Sequence, residues 1–300
     1  MQKTDLTGFV PAIVTPFSQN GEIMEDGFVA IVDFLLNLGA RAICVAGDNG
    51  ESWTLSPQER GRLTRLAVDR LAGRAHVITG CSAPTLKASL AYASAAQENG
   101  ASALLAMPQT YVLKATRDEL LARFEALGKG TDVPIVAYNS PRRAGLGMSV
   151  DDIGAILDVA PIIGIKESER DFFHHTHLLH RFRDRISIMV GPGHYILPGV
   201  ALGASGFIAT GPEFLGEDTA RIMSLGKQAP SPETAALHHR ITVLYELLMG
   251  TSTWPAAFKA GLNLIGLPAG VPREPVAACS PAEVDKIRAT FDALGIRRIQ

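Results

Sequence analysis

Lys166 is the side chain of this sequence best placed for covalent chemistry. It closes the apolar run PIIGIK, whereas the other lysines, at 3, 87, 114, 129, 227, 259 and 286, fall in helical or terminal stretches. Apolar walls disfavour the charged form of an amine, so the expectation is a lowered pKa and a larger share of the neutral amine that attacks a carbonyl. An ion pair with the adjacent Glu167 and phosphate binding at a strand end are the other roles that fit the position. Neighbours on a strand point to opposite faces, so a direct Lys166–Glu167 pair is not expected. Tyr138 closes a second apolar run, PIVAY. A phenol at a strand end can donate and accept the protons that carbinolamine formation and dehydration require; a tyrosine capping the core with its hydroxyl in solvent has the same signature. A third feature is the turn Gly47-Asp48-Asn49-Gly50-Glu51. Its backbone N–H groups can form a nest for a carboxylate, although glycine-bounded turns also serve simply to reverse the chain.

These residues are positioned by a regular alternation of elements. Short apolar runs at Phe9–Val14, Ala42–Ala46, His76–Thr79, Ala103–Met107, Pro134–Tyr138, Ile162–Lys166, Ile186–Val190 and Gly206–Ala209 read as eight strands. Segments with helical spacing lie between them, near 27–38, 57–72, 85–98, 117–128, 149–158, 171–183, 195–202 and 213–227. Several open on a capping signal such as Ser56-Pro57 or Ser149-Val150-Asp151-Asp152. The joints LGARAICVAG at 38–47, NGASALLAMP at 99–108 and LGASGFIATG at 202–211 repeat a glycine stop, a small residue and an apolar strand. Strand then helix, eight times, predicts an α/β fold, a parallel (β/α)₈ barrel over 1–228. An open doubly wound sheet shares the alternation, but no GxGxxG follows the first strand. Helical segments at 233–248, 253–265 and 281–293, with a Gly/Pro-rich break at Gly266–Pro275, make 229–300 a C-terminal helical appendage packed on the barrel rather than an independent domain.

Bulk properties narrow the partners. The 28 basic and 30 acidic residues leave a net charge of −2, with no electrostatic footprint for nucleic acid or an anionic membrane. No signal peptide or membrane span is expected, and Cys44, Cys81 and Cys279 lack paired metal-type spacing. Cys44 and Cys81 read as small core hydrophobes, and a reducing cytoplasm is the expected compartment. His174, His177 and His180 share i, i+3 spacing, but on a helix expected outside the barrel and away from the strand ends; no metal is expected there. His194, after the Gly191-Pro192-Gly193 turn, is either a second-substrate contact or a surface histidine. Trp254 and Phe258 read as core residues on one helix face.

In combination these motifs resemble the dihydrodipicolinate synthase and N-acetylneuraminate lyase family. GDNGE is similar to the family's GTTGE or GSTGE loop, YNSPRRAG at 138–145 to its YN-x-P signature, and GIKES at 164–168 to its Schiff-base segment; PAIVTPF at 11–17 matches as well. The resemblance spans nearly the whole chain. It implies a class I lyase, forming or cleaving carbon–carbon or carbon–oxygen bonds, in which Lys166 makes an imine with pyruvate or a related 2-oxo acid and Tyr138 shuttles protons. It implies that the turn around Asp48 and Asn49 holds the pyruvate carboxylate, that Thr15 sits near the site, and that Gly191 and Ile208 line the pocket. Arg143 matches the arginine that takes a second substrate's carboxylate in the synthases. The chemistry needs no cofactor, the partners are small molecules (a 2-oxo acid and an aldehyde), and the family assembles as homotetramers built from dimers, or as homodimers.

Two departures bear on the substrate. The family's two hydroxyl residues are here Asp48 and Asn49. A carboxylate beside a bound carboxylate is repulsive, so Asp48 is expected to be protonated, to turn away, or to bond to Tyr138 as the relay base; the last is the favoured expectation. After strand four the family's TPYY is here Met107-Pro108-Gln109-Thr110-Tyr111, with Thr110 at the interface tyrosine and Tyr111 one residue late. Together they favour a sugar-acid, hydroxyproline-pathway or other 2-oxo-acid lyase over 4-hydroxy-tetrahydrodipicolinate synthase proper, with a non-catalytic 2-oxo-acid-binding barrel as the other alternative.

Overall fold

In the computed structural model, which describes residues 1–299, alternating apolar runs become strands β1 Gly8–Phe9, β2 Ala42–Val45, β3 His76–Gly80, β4 Ala103–Ala106, β5 Ile135–Asn139, β6 Ile162–Glu167, β7 Ser187–Val190 and β8 Gly206–Phe207. All pair in parallel, in the order β1-β8-β7-β6-β5-β4-β3-β2. The two ends meet through an isolated bridge between Ala12 and Cys44, with backbone bonds of 2.8 Å from Cys44 to Pro11 and 3.0 Å from Ile13 to Cys44. The fold is the expected (β/α)₈ barrel. Strand one is shorter than the expected Phe9–Val14 because Pro11 has no N–H to give to the ladder. At Gly206 a Cβ would fall 2.3 Å from the Gly8 carbonyl, so the β1/β8 seam requires glycine there.

The helices are α1 Glu25–Asn37, α2 Pro57–Leu71, α3 Leu86–Glu98, α4 Arg117–Lys129, α5 Pro141–Ala144, α6 Val150–Val159, α7 Phe172–Phe182, α8 Ile196–Ala201, α9 Glu217–Gly226, α10 Pro232–Gly250, α11 Ala256–Leu264 and α12 Pro281–Ala293. Reciprocal side-chain caps start α2 (Ser56 with Glu59), α4 (Thr116 with Glu119), α6 (Ser149 with Asp152) and α12 (Ser280 with Glu283), each satisfying otherwise unpaired helical N–H groups. The short helix α5, inside YNSPRRAG, has no counterpart in the sequence prediction. Four residues are too few to show a helical period.

Strand alternation sorts the core into two layers. Val10, Cys44, Ile78, Leu105, Val136, Tyr138 and Met189 fill the barrel interior, while Ile43, Val45, Val77, Leu104, Ala137, Ile165 and Ile188 pack outward under the helices. The segment after β8 joins this second layer to the C-terminal helices, because Phe214 packs edge-on against Phe258 of α11 and tilted against Phe291 of α12, with centroids 5.8 and 4.9 Å apart. Cys44 and Cys81 are buried, as their apolar surroundings implied. Among the described residues no helix is long and apolar enough to cross a membrane.

Candidate active site

Tyr138 and Lys166 are register partners on β5 and β6. Each lies two residues beyond an inward-facing Val136 or Gly164, so both side chains project into the barrel at its carboxyl-terminal mouth. Lys166 Nζ lies 4.3 Å from the centroid of the Tyr138 ring, and both residues are about 95% buried (5% and 4% exposed). Burial pulls the Lys166 amine down, as the sequence suggested, but the facing Tyr138, Cys44 and Asp48 outweigh it and hold the amine above the ordinary lysine value. This corrects the expected lowering: burial is legible in an apolar run, whereas the opposing groups come from other strands. The resting side chain is therefore an ammonium that must give up a proton before attacking a carbonyl. Burial pushes the neighbouring Cys44 thiol up to about 11, so it stays protonated and does not compete as a nucleophile.

The turn after β2 lies beside this pair. Asn49 Nδ2 donates to the Ala12 carbonyl at 2.8 Å and to Thr210 Oγ1 at 2.9 Å, tying the turn to β1 and to the end of β8. The backbone N–H groups of Asp48 and Asn49, which line the cavity, make no hydrogen bond among the described residues, which leaves them free to receive a carboxylate. Thr15 does not line the cavity; its hydroxyl donates to the Gly50 carbonyl at 2.8 Å and supports the turn from behind. Gly191 and Ile208 do line it. A Cβ at Gly191 would fall 1.9 Å from Ser168 Oγ and 2.8 Å from the Glu167 carbonyl, so nothing larger fits without moving the Lys166 strand. Gly191→Ala is expected to slow formation of a borohydride-stable pyruvate adduct by about 10²-fold, the usual scale for displacing a reacting group by an ångström. Timed mass spectrometry with circular dichroism separates this from unfolding.

Asp48 does not meet Tyr138. Its Oδ2 forms an ion pair with Arg143 Nε at 2.9 Å, and no hydrogen bond to Tyr138 exists among the described residues. The direct Asp48–Tyr138 relay bond expected from the sequence is thus absent; α5 carries Arg143 over the turn and engages the carboxylate first. The cavity is lined by four cationic side chains, Arg142, Arg143, Lys166 and Arg170, against the single carboxylate of Asp48. Such a lining concentrates small anions.

Behind the pair, Asn139 and Glu167 point outward. Glu167, fully buried, accepts from Asn139 Nδ2 (3.1 and 3.0 Å), from the Glu169 N–H (2.7 Å) and from His174 Nε2 (3.0 Å). The first turn of α7 therefore reaches the strand ends, closer than the sequence placed this helix, and among the described residues the histidines form no metal-type cluster. Burial lowers His174, but the hydrogen bond and charge of Glu167, with Glu169 and Asp171 nearby, raise it above its ordinary 6.5. Its contribution to stability is then fully present below 6.5 and lost as pH rises through the raised value. His174→Leu is expected to cost about 1.5–3 kcal/mol near pH 6, with the deficit narrowing on the alkaline side. Urea titrations across pH test this, and a constant deficit would mean packing alone.

With this geometry in view, the chain was compared with known proteins. The model of the dihydrodipicolinate synthetase family matches residues 5–294. The chain belongs to that family. It is a lyase of the class I aldolase type, dihydrodipicolinate synthase-like and Schiff-base-forming. It is 27% identical to a 4-hydroxy-tetrahydrodipicolinate synthase of Oceanobacillus iheyensis, over 93% of this chain and 94% of that protein. An uncharacterized DapA-like lyase of Rhizobium meliloti is 28% identical over 95% of both chains. The crystal structure of dihydrodipicolinate synthase from Aquifex aeolicus superposes with a TM-score of 0.90 at 26% identity, covering 98% of this chain and 100% of that one.

In this member of the family, several lining residues have no separate signal in the sequence. Ser140 and Arg142 lie within YNSPRRAG and Ser168 within GIKES, Arg170 and Thr210 lie outside the motifs, and Tyr245, Met249 and Trp254 arrive from the C-terminal segment. Ser168 alone could have been inferred, since it lies two residues past Lys166 on the same strand face. Trp254 stacks on Phe258 at 5.7 Å, as a core residue would, and also lines the cavity. His194 packs edge-on against Tyr195 at 4.3 Å and tilts toward Tyr245 at 5.3 Å, outside the lining. Thr110 and Tyr111 lie on the rim of a neighbouring cleft, with Tyr111 90% exposed.

Proposed function

We propose that Lys166 attacks the 2-oxo carbon of pyruvate or a related 2-oxo acid and forms the imine through which this lyase works. The observation that carries the reading is the buried Tyr138–Lys166 pair, with Nζ 4.3 Å from the ring centroid, in a cavity whose charged lining residues are mostly cationic. In the proposed sequence the free N–H groups of Asp48 and Asn49 hold the substrate carboxylate, with the Asn49 side chain fixing the turn and Gly191 and Ile208 shaping the pocket. Lys166 loses a proton, adds to the carbonyl, and the carbinolamine expels water with Tyr138 as acid and base. The imine nitrogen then accepts the electron pair of the bond broken at C3, or supplies it through the enamine when a bond is made. No metal or cofactor enters these steps.

The second component is an aldehyde or its equivalent, and the reaction of a sugar-acid, hydroxyproline-pathway or other 2-oxo-acid lyase fits Asp48 better than the lysine-pathway synthase reaction does. Incubation with pyruvate and borohydride should add one reduced pyruvyl group at Lys166, and a panel of 2-oxo acids should turn over. Adduct with no turnover of any member would instead support a binding barrel without catalysis.

We also infer a homo-oligomer, dimer or tetramer. Tyr111 and Leu113 are 90% and 80% exposed beside Val112 and Trp53, a rim suited to cover by a second copy. The cytoplasm suits three free cysteines. Residues 229–299 act as part of the barrel's own fold, because Tyr245 and Met249 complete the cavity.

A further inference from the structure

Resting on the imine reading, we propose that Asp48 supplies from within the chain the carboxylate that Arg143 would otherwise take from the second substrate, so that the site selects a neutral hydroxylated aldehyde over an acidic one. Arg143 is the arginine of the lining that is already paired: its Nε lies 2.9 Å from Asp48 Oδ2 as an ion pair, while Arg142 and Arg170 have no acidic partner among the described residues. The Asp48 side chain is 13% exposed and that of Arg143 33%, so the carboxylate is mostly withdrawn from water and its attraction to the partly solvated guanidinium is stronger than between two surface groups. An incoming carboxylate at Arg143 would have to displace Asp48, leaving a largely buried carboxylate unpaired, or share the guanidinium with it at close like-charge range. Arg142 and Arg170 are exposed, as Arg143 is, but have no carboxylate fixed beside them, and water and salt screen them. A hydroxyl meets no such penalty. It can donate to the second oxygen of Asp48 and accept from a remaining Arg143 N–H. Discrimination therefore comes as much from a built-in repulsion as from an attraction.

The reaction that reads this out is aldol addition. C3 of the pyruvate imine loses a proton to give the enamine, whose electron pair forms a bond to the aldehyde carbon, and the alkoxide so made takes up a proton. Water then hydrolyses the imine, releasing the hydroxylated 2-oxo acid and regenerating the Lys166 amine. Glycolaldehyde and glyoxylate are the probes, two-carbon aldehydes that differ in bearing a hydroxymethyl or a carboxylate. Taking the ratio of their kcat/KM values, with pyruvate held constant, cancels any effect of a substitution on the steps both share.

The wild type should favour glycolaldehyde by about tenfold or more, and Asp48→Asn and Asp48→Thr should each move the ratio toward glyoxylate by about tenfold or more, the scale of one lost repulsive contact. Adding Arg143→Gln to either variant should remove that gain. A wild type that prefers glyoxylate, or a ratio that stays put in both Asp48 variants, overturns the proposal. Borohydride trapping of pyruvate in the same preparations distinguishes the two levels. An adduct at Lys166 with an unmoved ratio removes only the Asp48 filter, whereas no adduct in the wild type removes the imine reading and the filter with it.

Discussion

In a Lys166→Ala variant, borohydride should leave no pyruvate adduct anywhere on the chain, and turnover of every 2-oxo acid the wild type accepts should fall by about 10⁴-fold or more, as when a covalent nucleophile is removed. The imine is the electron sink of the proposed chemistry, and no other lysine lines the cavity. Lys259 is buried but engaged with Glu51 elsewhere. Arginine at position 166 should not rescue, because a guanidinium stays protonated and offers no free amine. The fold should survive, but the neighbours outweigh the cost of burying this ammonium and the substitution leaves a void, so a modestly lower thermal midpoint is expected. The same site makes a statement about pH. Because its neighbours hold the Lys166 amine above the ordinary lysine value, the free-amine fraction at neutrality is small and rises about tenfold per pH unit. Imine formation in the wild type should therefore accelerate through the neutral and mildly alkaline range, and a rate that falls there would contradict a raised lysine. Persistence of a stoichiometric adduct in Lys166→Ala would place the imine elsewhere.

The largest effect on stability is expected at Lys259. This lysine of α11 is 1% exposed; its Nζ pairs with the fully buried Glu51 at the end of the GDNGE turn and donates to the Val271 carbonyl at 2.7 Å. Glu51 also accepts from the Arg273 N–H at 2.8 Å, and Phe17 lies between the two cations, with Lys259 Nζ 4.5 Å and the Arg273 guanidinium 4.1 Å from its ring centroid. Burial lowers Lys259 to about 8 and raises Glu51, so each partner's desolvation outweighs the attraction it gains. The pair then directs how the C-terminal segment docks more than it stabilises the fold. Lys259→Met should cost about 3–5 kcal/mol by stranding the Glu51 carboxylate, whereas Glu51→Gln combined with Lys259→Met should recover most of the loss. The Lys259 term has a definite sign in pH. Its folded value lies below its ordinary 10.5, so the cost of burying its charge is fully present below about 8 and is lifted as pH rises between the two. Equilibrium unfolding of the single and double variants tests this, and equal losses in both would rule out a stranded charge. Weaker pyruvate binding in Lys259→Met is expected too, because the turn that Glu51 ends also carries Asp48 and Asn49.

What could be read in the one-dimensional chain was whatever repeats locally. The short apolar runs and their glycine-bounded joints predicted eight parallel strands, and the strand-end rule then singled out Lys166 and Tyr138. The opposite facing of Lys166 and Glu167 followed from the same pleat, and the two do point to different sides. The partners of these residues were another matter. Asp48 had three roles open to it, and the structure places it on Arg143 because α5, too short to have a period, swings that arginine over the turn. Thr15 was expected near the site but acts one layer back, through Gly50. Tyr245 and Met249 reach the cavity from α10, and His174 reaches Glu167 from α7, with nothing in their own segments to announce it. The sign of the Lys166 shift failed for the same reason. An apolar run reports burial, but the opposing groups sit on β2, on β5 and in the turn after β2. The sequence by itself therefore determined the barrel and its two central side chains, since backbone periodicity is a local property. Only the tertiary structure decided which charges face each other, because the loops that carry them are brought together by closure of the barrel and docking of the C-terminal helices.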